Sequence, residues 1–199
     1  MNTNVLAALL AVVAAPAFAQ FSYDASTGTC TNAAGEHGFN IGVRGPCGDL
    51  SGLTLDGENF QNWDLRGARF EGTSLKKASF KGAKLDGASF ARADLTDAVM
   101  TGAQLDKASM SEARLVGAHL EHATFTNASL AGANVRNACL FGTAFAGADL
   151  RTAQFSKQRS VLEGARFAQA LVLADTLPFS AAELARQQVE VRDVLATRR

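Results

Sequence analysis

Large apolar residues recur at every fifth position from Leu50 to Phe155 without a break, through Leu55, Phe60, Leu65, Phe70, Leu75 and onward. From Ala78 to Ala138 the residue two places before each of them is alanine. The unit therefore reads Ala-x-Leu/Phe-x-x, as in Ala83-Lys84-Leu85-Asp86-Gly87 and Ala93-Asp94-Leu95-Thr96-Asp97. A period of five fits neither a helix at about 3.6 nor a plain strand at about 2, yet the alanine and the large residue stand two apart, as same-side neighbours do on a strand. Both therefore point inward. The other three positions hold most of the charged and polar residues and glycines, which suits the outward faces and corners of a tightly wound solenoid. Phe60, Phe70, Phe80, Phe90, Met100 and Met110 alternate with Leu65, Leu75, Leu85, Leu95, Leu105 and Leu115. An even number of sides per coil sets the bulky residues on opposing faces.

No unit folds alone. Ordering five residues costs on the order of 5 to 10 kcal/mol of backbone entropy, while burying one Leu or Phe returns about 1.5 to 3 kcal/mol. Stability has to come from stacking coil on coil. On the residues quoted, the chain resembles the pentapeptide-repeat family, whose members fold as right-handed, four-sided β-helices. The resemblance implies an all-β, right-handed quadrilateral parallel β-helix over residues 50–177, with twenty residues per coil. Leu65, Leu85, Leu105, Phe125 and Phe145 then stack in one column, and Phe60, Phe80, Met100, Leu120 and Leu140 in another. At a rung spacing of about 4.8 Å, roughly six coils make a rod about 30 Å long. Leu105 is an inward position, whereas its outward neighbour Asp106 is expected to tolerate alanine within about 0.5 kcal/mol.

The two ends depart from the repeat. Val5 to Ala15 is a short apolar run, followed by Pro16 and the small-x-small Ala17-Phe18-Ala19. Residues 1–19 are read as a signal peptide cleaved after Ala19, although Met1 to Asn4 carry no Lys or Arg. The expected destination is secreted or periplasmic. Cys30 and Cys47 flank a segment of Gly, Asn and Thr, and a bridge between them would close a loop of about 18 residues, worth about 3 kcal/mol. Residues 20–49 resemble the disulfide-stapled cap found ahead of the repeats in some secreted bacterial pentapeptide proteins. In the first coil Leu53, Glu58 and Trp63 stand where later coils have alanine, and Gln158 with Arg159 reads as a two-residue insertion before the phase resumes at Leu162. Residues 178–199 are expected to form one C-terminal helix: Ser180 and Glu183 make a capping box, and Leu184, Val191 and Leu195 form an apolar stripe. That helix covers the last coil or, through the same stripe, contacts a second copy in a homodimer.

Candidate chemistry is sparse. His119, Glu121 and His122 form the one close sequence cluster of metal-ligand types, around Leu120. Two histidines and a carboxylate suit zinc, but outward solvated groups are the simpler reading, so no catalytic, cofactor or metal site is assigned. Cys139, outward beside Leu140, is a free thiol, an intermolecular partner or a bystander. Lys plus Arg balance Asp plus Glu at 19 each. The quinolone-resistance members of the family imitate DNA with a strongly acidic rod that binds gyrase, so neutrality sets this chain apart from that topoisomerase-binding role and from nucleic-acid partners. Arg66, Arg69, Lys76, Lys77, Lys81, Lys84 and Arg92 make the early coils basic. Arg69, Lys76, Lys81 and Lys84 are the candidate interaction surface, for an envelope protein or an anionic glycan. Val99, Val116 and Phe141 are the alternative, as outward apolar residues. The expected function is a non-enzymatic interaction or spacer scaffold of the cell envelope; a metal-dependent enzyme around His119 and His122 is a lesser reading.

The export reading has a direct check. Mass spectrometry of the native protein is expected to find Gln20 as the first residue, and a full-length cytoplasmic product would overturn both the compartment and the disulfide cap.

Overall fold

The computed structural model describes residues 22–24, 29–31, 50–157, 162, 164–173 and 176–192. The expected signal peptide and cleavage site, Cys47 with the expected Cys30–Cys47 bridge, and Gln158 and Arg159, where the insertion is expected, lie outside the described residues. Within the cap segment, β1 (Ser22–Asp24) pairs antiparallel with β2 (Thr29–Thr31), Tyr23 opposite Cys30.

From residue 50 the chain winds as a parallel β-helix whose rungs are offset by twenty residues, Thr54 bridging Ser74, Asn59 bridging Ser79 and so on to Asn134 with Gln154. Five residues per side and twenty per coil give four sides. The next bridges, Ala144 with Arg166 and Asp149 with Leu171, are offset by twenty-two. Two extra residues have therefore entered one side without disturbing the core, where Leu162, Phe167, Val172 and Leu177 remain buried.

A hydrogen-bond account of one side explains the composition. The amide of each large residue donates to the coil above, as Leu105 does to Thr124 at 2.8 Å, and so does the corner amide two residues later, as Lys107 does to Thr126 at 2.8 Å. The alanine amide closes the turn onto the preceding large residue, Ala108 to Leu105 at 3.1 Å, and the amide after it reaches the coil below, Ser109 to Ala88 at 2.9 Å. The amide one past the large residue has no backbone partner in this pattern, and backbone donors need one. Outward side chains supply it. Asp56 accepts from Lys76 and Asp106 from Thr126, both at 2.9 Å, from one coil to the next. Asn59, Asp94, Asn134 and Asp149 accept from the amide two residues on, at 3.0 to 3.2 Å. Asp106 is thus a cap, which corrects the expectation that it is dispensable.

From Leu50 to Leu150 the residue two past each large one holds a left-handed conformation, with φ from 56 to 73°. That geometry at the third place of a turn favours Gly or Asn. Lys, Arg, Glu, His and Thr are nonetheless seated in it at several corners, Thr152 at φ 61° among them, at a cost of roughly 1 to 2 kcal/mol each.

Inside, Phe60 stacks on Phe80 at 4.9 Å and Phe70 on Phe90 at 4.7 Å, while Phe60 meets Phe70 edge-on at 6.0 Å across the interior. Met100 and Met110 continue those two sides. Beyond them the rings pass to the other two sides, with Phe125, Phe145 and Phe167 stacked at 5.2 Å and Phe155 edge-on to Phe167 at 6.2 Å. Thr73 and Thr143 take the alanine slot fully buried, and each hydroxyl donates to a carbonyl one coil below, that of Leu50 at 2.7 Å and that of Leu120 at 2.8 Å. In the first coil Leu53, Glu58 and Trp63 are half-buried, too large for that slot, and Trp63 lies edge-on to Phe60 at 5.6 Å.

The C-terminal segment differs from expectation. The capping box is present, Ser180 N donating to Glu183 Oε2 at 2.8 Å and Glu183 N to Ser180 Oγ at 3.3 Å, but α1 spans only Ala181–Arg186. Gln188 turns left-handed at φ 55° like the other corners, and the chain returns as β4 (Glu190–Arg192), parallel to β3 (Leu171–Leu173). Val191 therefore sits in a strand and not on a helical stripe, because the open edge of β3 offers a ladder and β-branched Val189 and Val191 favour extended backbone. Leu184 is buried in this chain's own core, which withdraws it from a contact with a second copy. Leu195 lies outside the described residues.

Leu105→Asp is expected to lower stability by several kcal/mol in chemical denaturation, through lost burial and a buried charge. Gln104→Ala, outward on the same side, should stay within about 0.5 kcal/mol, and Asp106→Ala should cost about 1 kcal/mol as its cap is lost. Equal effects at 104 and 105 would show the inward phase to be wrong.

Candidate functional site

On the side that buries Phe60, Phe80, Met100, Leu120 and Leu140, the residue before each points outward, so Asn59, Ser79, Val99, His119 and Cys139 form one vertical ladder, rung by rung. Lys81, Thr101, Glu121 and Phe141, one past the large residues, line the adjoining corner. The coil length alone thus lifts Cys139 onto the rung above His119.

His119 Nδ1 lies 3.3 Å from Glu121 Oε1, and Thr101 Oγ1, from the coil below, donates to Glu121 Oε2 at 3.2 Å. One ligand-type atom from each of His119, Glu121 and Cys139 lies within 4.8 Å of the others. Partial desolvation pushes the Cys139 thiol above its usual range, and the Glu121 carboxylate adds to this by its charge and by accepting the thiol's hydrogen bond. Desolvation also pushes Glu121 up, but hydrogen bonds from its own backbone, His119 and Thr101 outweigh it and leave the carboxyl below its ordinary value. A nitrogen, an oxygen and a sulfur donor therefore converge on one exposed face.

His122 is not part of this group. It occupies a left-handed corner at φ 59°, and its ring meets Phe141 edge-on at 5.6 Å. It also covers Gly142 so closely that a Cβ there would stand 2.5 Å from Nδ1. The cluster expected from sequence is corrected accordingly: Cys139 replaces His122, because neighbours on this surface are twenty residues apart as well as two.

The four basic residues do not share a face. Arg69 lies on the side of Phe70, Lys76 at the corner after Leu75, Lys81 at the corner after Phe80, and Lys84 on the side of Leu85. They encircle most of one coil as a collar. Arg69 pairs with Glu71 at 3.1 Å and Lys76 with Asp94 at 3.5 Å, while Lys84 is the backbone rung neighbour of Asp64, whose carboxylate Arg66 holds at 2.7 Å. The hydrogen bond from Arg66 is the main reason that the Asp64 carboxyl lies below its ordinary range. Of the outward apolar residues, Val99 and Val116 are half-buried and Phe141 is 59% exposed.

Two family profiles match the chain, one described as pentapeptide repeats (8 copies) over residues 49–82 and one as a pentapeptide repeat region over residues 73–155. Between them they span more than half of it. Among solved structures, a pentapeptide repeat protein from the thylakoid lumen of Arabidopsis thaliana is 36% identical over 57% of this chain and 70% of its own, with a TM-score of 0.34. Trypsin-treated QnrB1, a plasmid-mediated fluoroquinolone resistance protein, is 21% identical over 75% of this chain and 94% of its own, with a TM-score of 0.50, a likeness of fold. No curated protein matches the chain.

Glu121→Gln removes the negative charge that helps keep the Cys139 thiol protonated. Alkylation of Cys139 at neutral pH in chelator-treated buffer, followed by peptide mass spectrometry, is expected to run faster in that variant than in the parent, because the thiolate is the reactive form. An unchanged or slower rate would remove Glu121 as a neighbour of the sulfur.

Proposed function

Since the chain belongs to the pentapeptide-repeat family, of right-handed β-helical proteins, we propose that it is a non-enzymatic scaffold that binds or spaces partners outside the cytoplasm, in the envelope or beyond it. The observation that carries this is how completely the repeat uses its interior. From residue 60 to 155 the large inward side chains are all buried, the small inward slot beside them is filled by alanine or hydrogen-bonded threonine from residue 68 onward, and among the described residues no buried side-chain N or O lacks a hydrogen-bond partner. What is left for recognition is the outside, a set of rigid ladders on a fixed rung spacing. Export is supported by the Val5–Ala15 run and Ala17-Phe18-Ala19. No helix among the described residues is long and apolar enough to cross a membrane.

The partner class that best fits the early coils is an anionic polymer or a protein with an acidic face. A collar of Arg69, Lys76, Lys81 and Lys84 presents positive charge in several directions, which suits a flexible anionic chain that wraps more than a flat partner. A DNA-imitating role is disfavoured by the net charge of zero and by the use of Asp56, Asp94, Asp106 and Asp149 as caps.

Binding of the chain to immobilised heparin and to lipopolysaccharide vesicles, as polyanion probes, tests the reading. Affinity is expected to fall steeply with salt, since exposed charges are screened over about 8 Å at physiological ionic strength, and to be lost when all four basic residues are changed to Gln. Lys81 and Lys84, which make no ion pair among the described residues, should account for more of the loss than Arg69 and Lys76. Thermal stability should barely change. Binding indifferent both to salt and to the four substitutions would leave the basic stretch as a solubility device and move the interaction surface to Val99, Val116 and Phe141.

A further inference from the structure

The geometry points to a transition-metal site, of zinc type, on the outer face of the rod, with His119, Glu121 and Cys139 as its three protein ligands and a fourth position open to water or to a partner's side chain. The donor set is the first argument. Imidazole with thiolate suits zinc and its neighbours and disfavours magnesium and calcium, which take oxygen ligands. Zinc binds N, O and S at about 2.0 to 2.3 Å in a tetrahedron, which sets neighbouring ligands roughly 3.3 to 3.7 Å apart. The three donor atoms already lie within 4.8 Å of one another, and His119 Nδ1 and Glu121 Oε1 are at 3.3 Å. The remaining gap, from within 4.8 Å to the tetrahedral spacing, is about 1 Å, within the reach of side-chain rotation at a site where His119 and Cys139 are exposed.

The scaffold is the second argument. Glu121 and His119 sit two apart on one coil, and Cys139 is the direct rung neighbour of His119 on the next. The ladder therefore holds all three Cα atoms at fixed spacings before any ion arrives, a preorganisation that loops lack. Thr101 provides the outer support expected of such a site: its hydroxyl donates to Glu121 Oε2 at 3.2 Å and leaves Oε1 for the metal. On binding, the Cys139 thiol gives its proton to solvent and the thiolate becomes a ligand, while His119 ligates through Nδ1 as the neutral tautomer with its proton on Nε2. The open fourth position distinguishes this arrangement from a closed structural site. It also places a Lewis acid beside exposed Phe141, where a partner could complete the coordination. The inference does not rest on the scaffold reading: polyanion binding and metal binding are read on different coils and with different variants.

The test titrates Co2+ and then Zn2+ into the full chain. One ion per chain is expected at this site, with a thiolate-to-cobalt charge-transfer band that Zn2+ abolishes by displacement. Cys139→Ser should remove that band and weaken affinity by about 100-fold or more, as should His119→Ala. Thr101→Val should weaken it by about tenfold, in keeping with loss of an outer-shell partner. His122→Ala should leave binding unchanged. Zinc should raise the Tm of the parent and of the His122 variant but not of the Cys139 variant. A charge-transfer band that survives Cys139→Ser would assign the metal to Cys30 or Cys47 and overturn the proposal. So would absence of uptake by the parent, or an equal loss in the His122 variant.

Discussion

The structure depends on one repeated hydrogen bond, the donation from the amide of a large inward residue to a carbonyl nineteen positions further along the chain, or twenty-one where the two-residue insertion intervenes, as from Phe145 to Arg166. It runs from 2.6 Å for Phe90 to Ser109 to 2.9 Å for Leu120 to Cys139. Because each such bond joins one coil to the next, no side of the rod is stable by itself, and each coil is the template for its successor. The inward alanines follow from the same bond. A coil closed at five residues per side leaves room for one large and one small side chain per side, and where a buried hydroxyl takes the small place it must find a polar partner, as Thr73 and Thr143 do.

The same account divides the outward residues into two kinds. Some complete the backbone. Asp and Asn one place before or after a large residue satisfy the amide that the coil pattern leaves out, so the charges of Asp56, Asp94, Asp106 and Asp149 are structural. Others are released from that task, and it is among these that chemistry collects: His119 and Cys139 on one ladder, Glu121 at its edge, Lys81 on that same edge two coils below, and Lys84 on the side beyond it. A neutral chain with its carboxylates occupied as caps is a different surface from a uniformly acidic rod, although both rest on one fold.

Much of this was legible in the sequence. The unbroken period of five and the alanine two before each large residue gave the inward phase, which the burial of Leu50 through Phe155 matches. The four-sided section came from resemblance and agrees with bridges offset by twenty. The grouping of His119 differs between sequence and structure for a definable reason. Along the chain His122 is three residues away, whereas the twenty-residue column, which holds for outward residues as much as for Leu and Phe, sets Cys139 directly above His119 in space. The basic residues show the reverse: 69 to 84 is local in sequence, yet fifteen residues carry the chain three-quarters of the way around. At the C-terminus, Leu184 and Val191 are seven apart, which fits a helical face, and only the unfilled edge of Leu171–Leu173 shows why the chain reverts to strand.

The shift of the phenylalanines from one pair of sides to the other, with Met100 and Met110 between, bears on how the rod avoids misassembly. A ladder whose rungs are chemically alike could slip by a whole coil and keep nearly every backbone hydrogen bond, so the backbone by itself is a poor guardian of alignment. Ring-on-ring contacts, worth about 0.5 to 1.5 kcal/mol each beyond burial, form only when Phe80 follows Phe60, Phe90 follows Phe70 and Phe145 follows Phe125. Each stretch of the rod thereby carries an address. A slipped coil would set rings against leucines at both ends, so the placement of the aromatics acts as a proofreading code written inside an otherwise degenerate repeat.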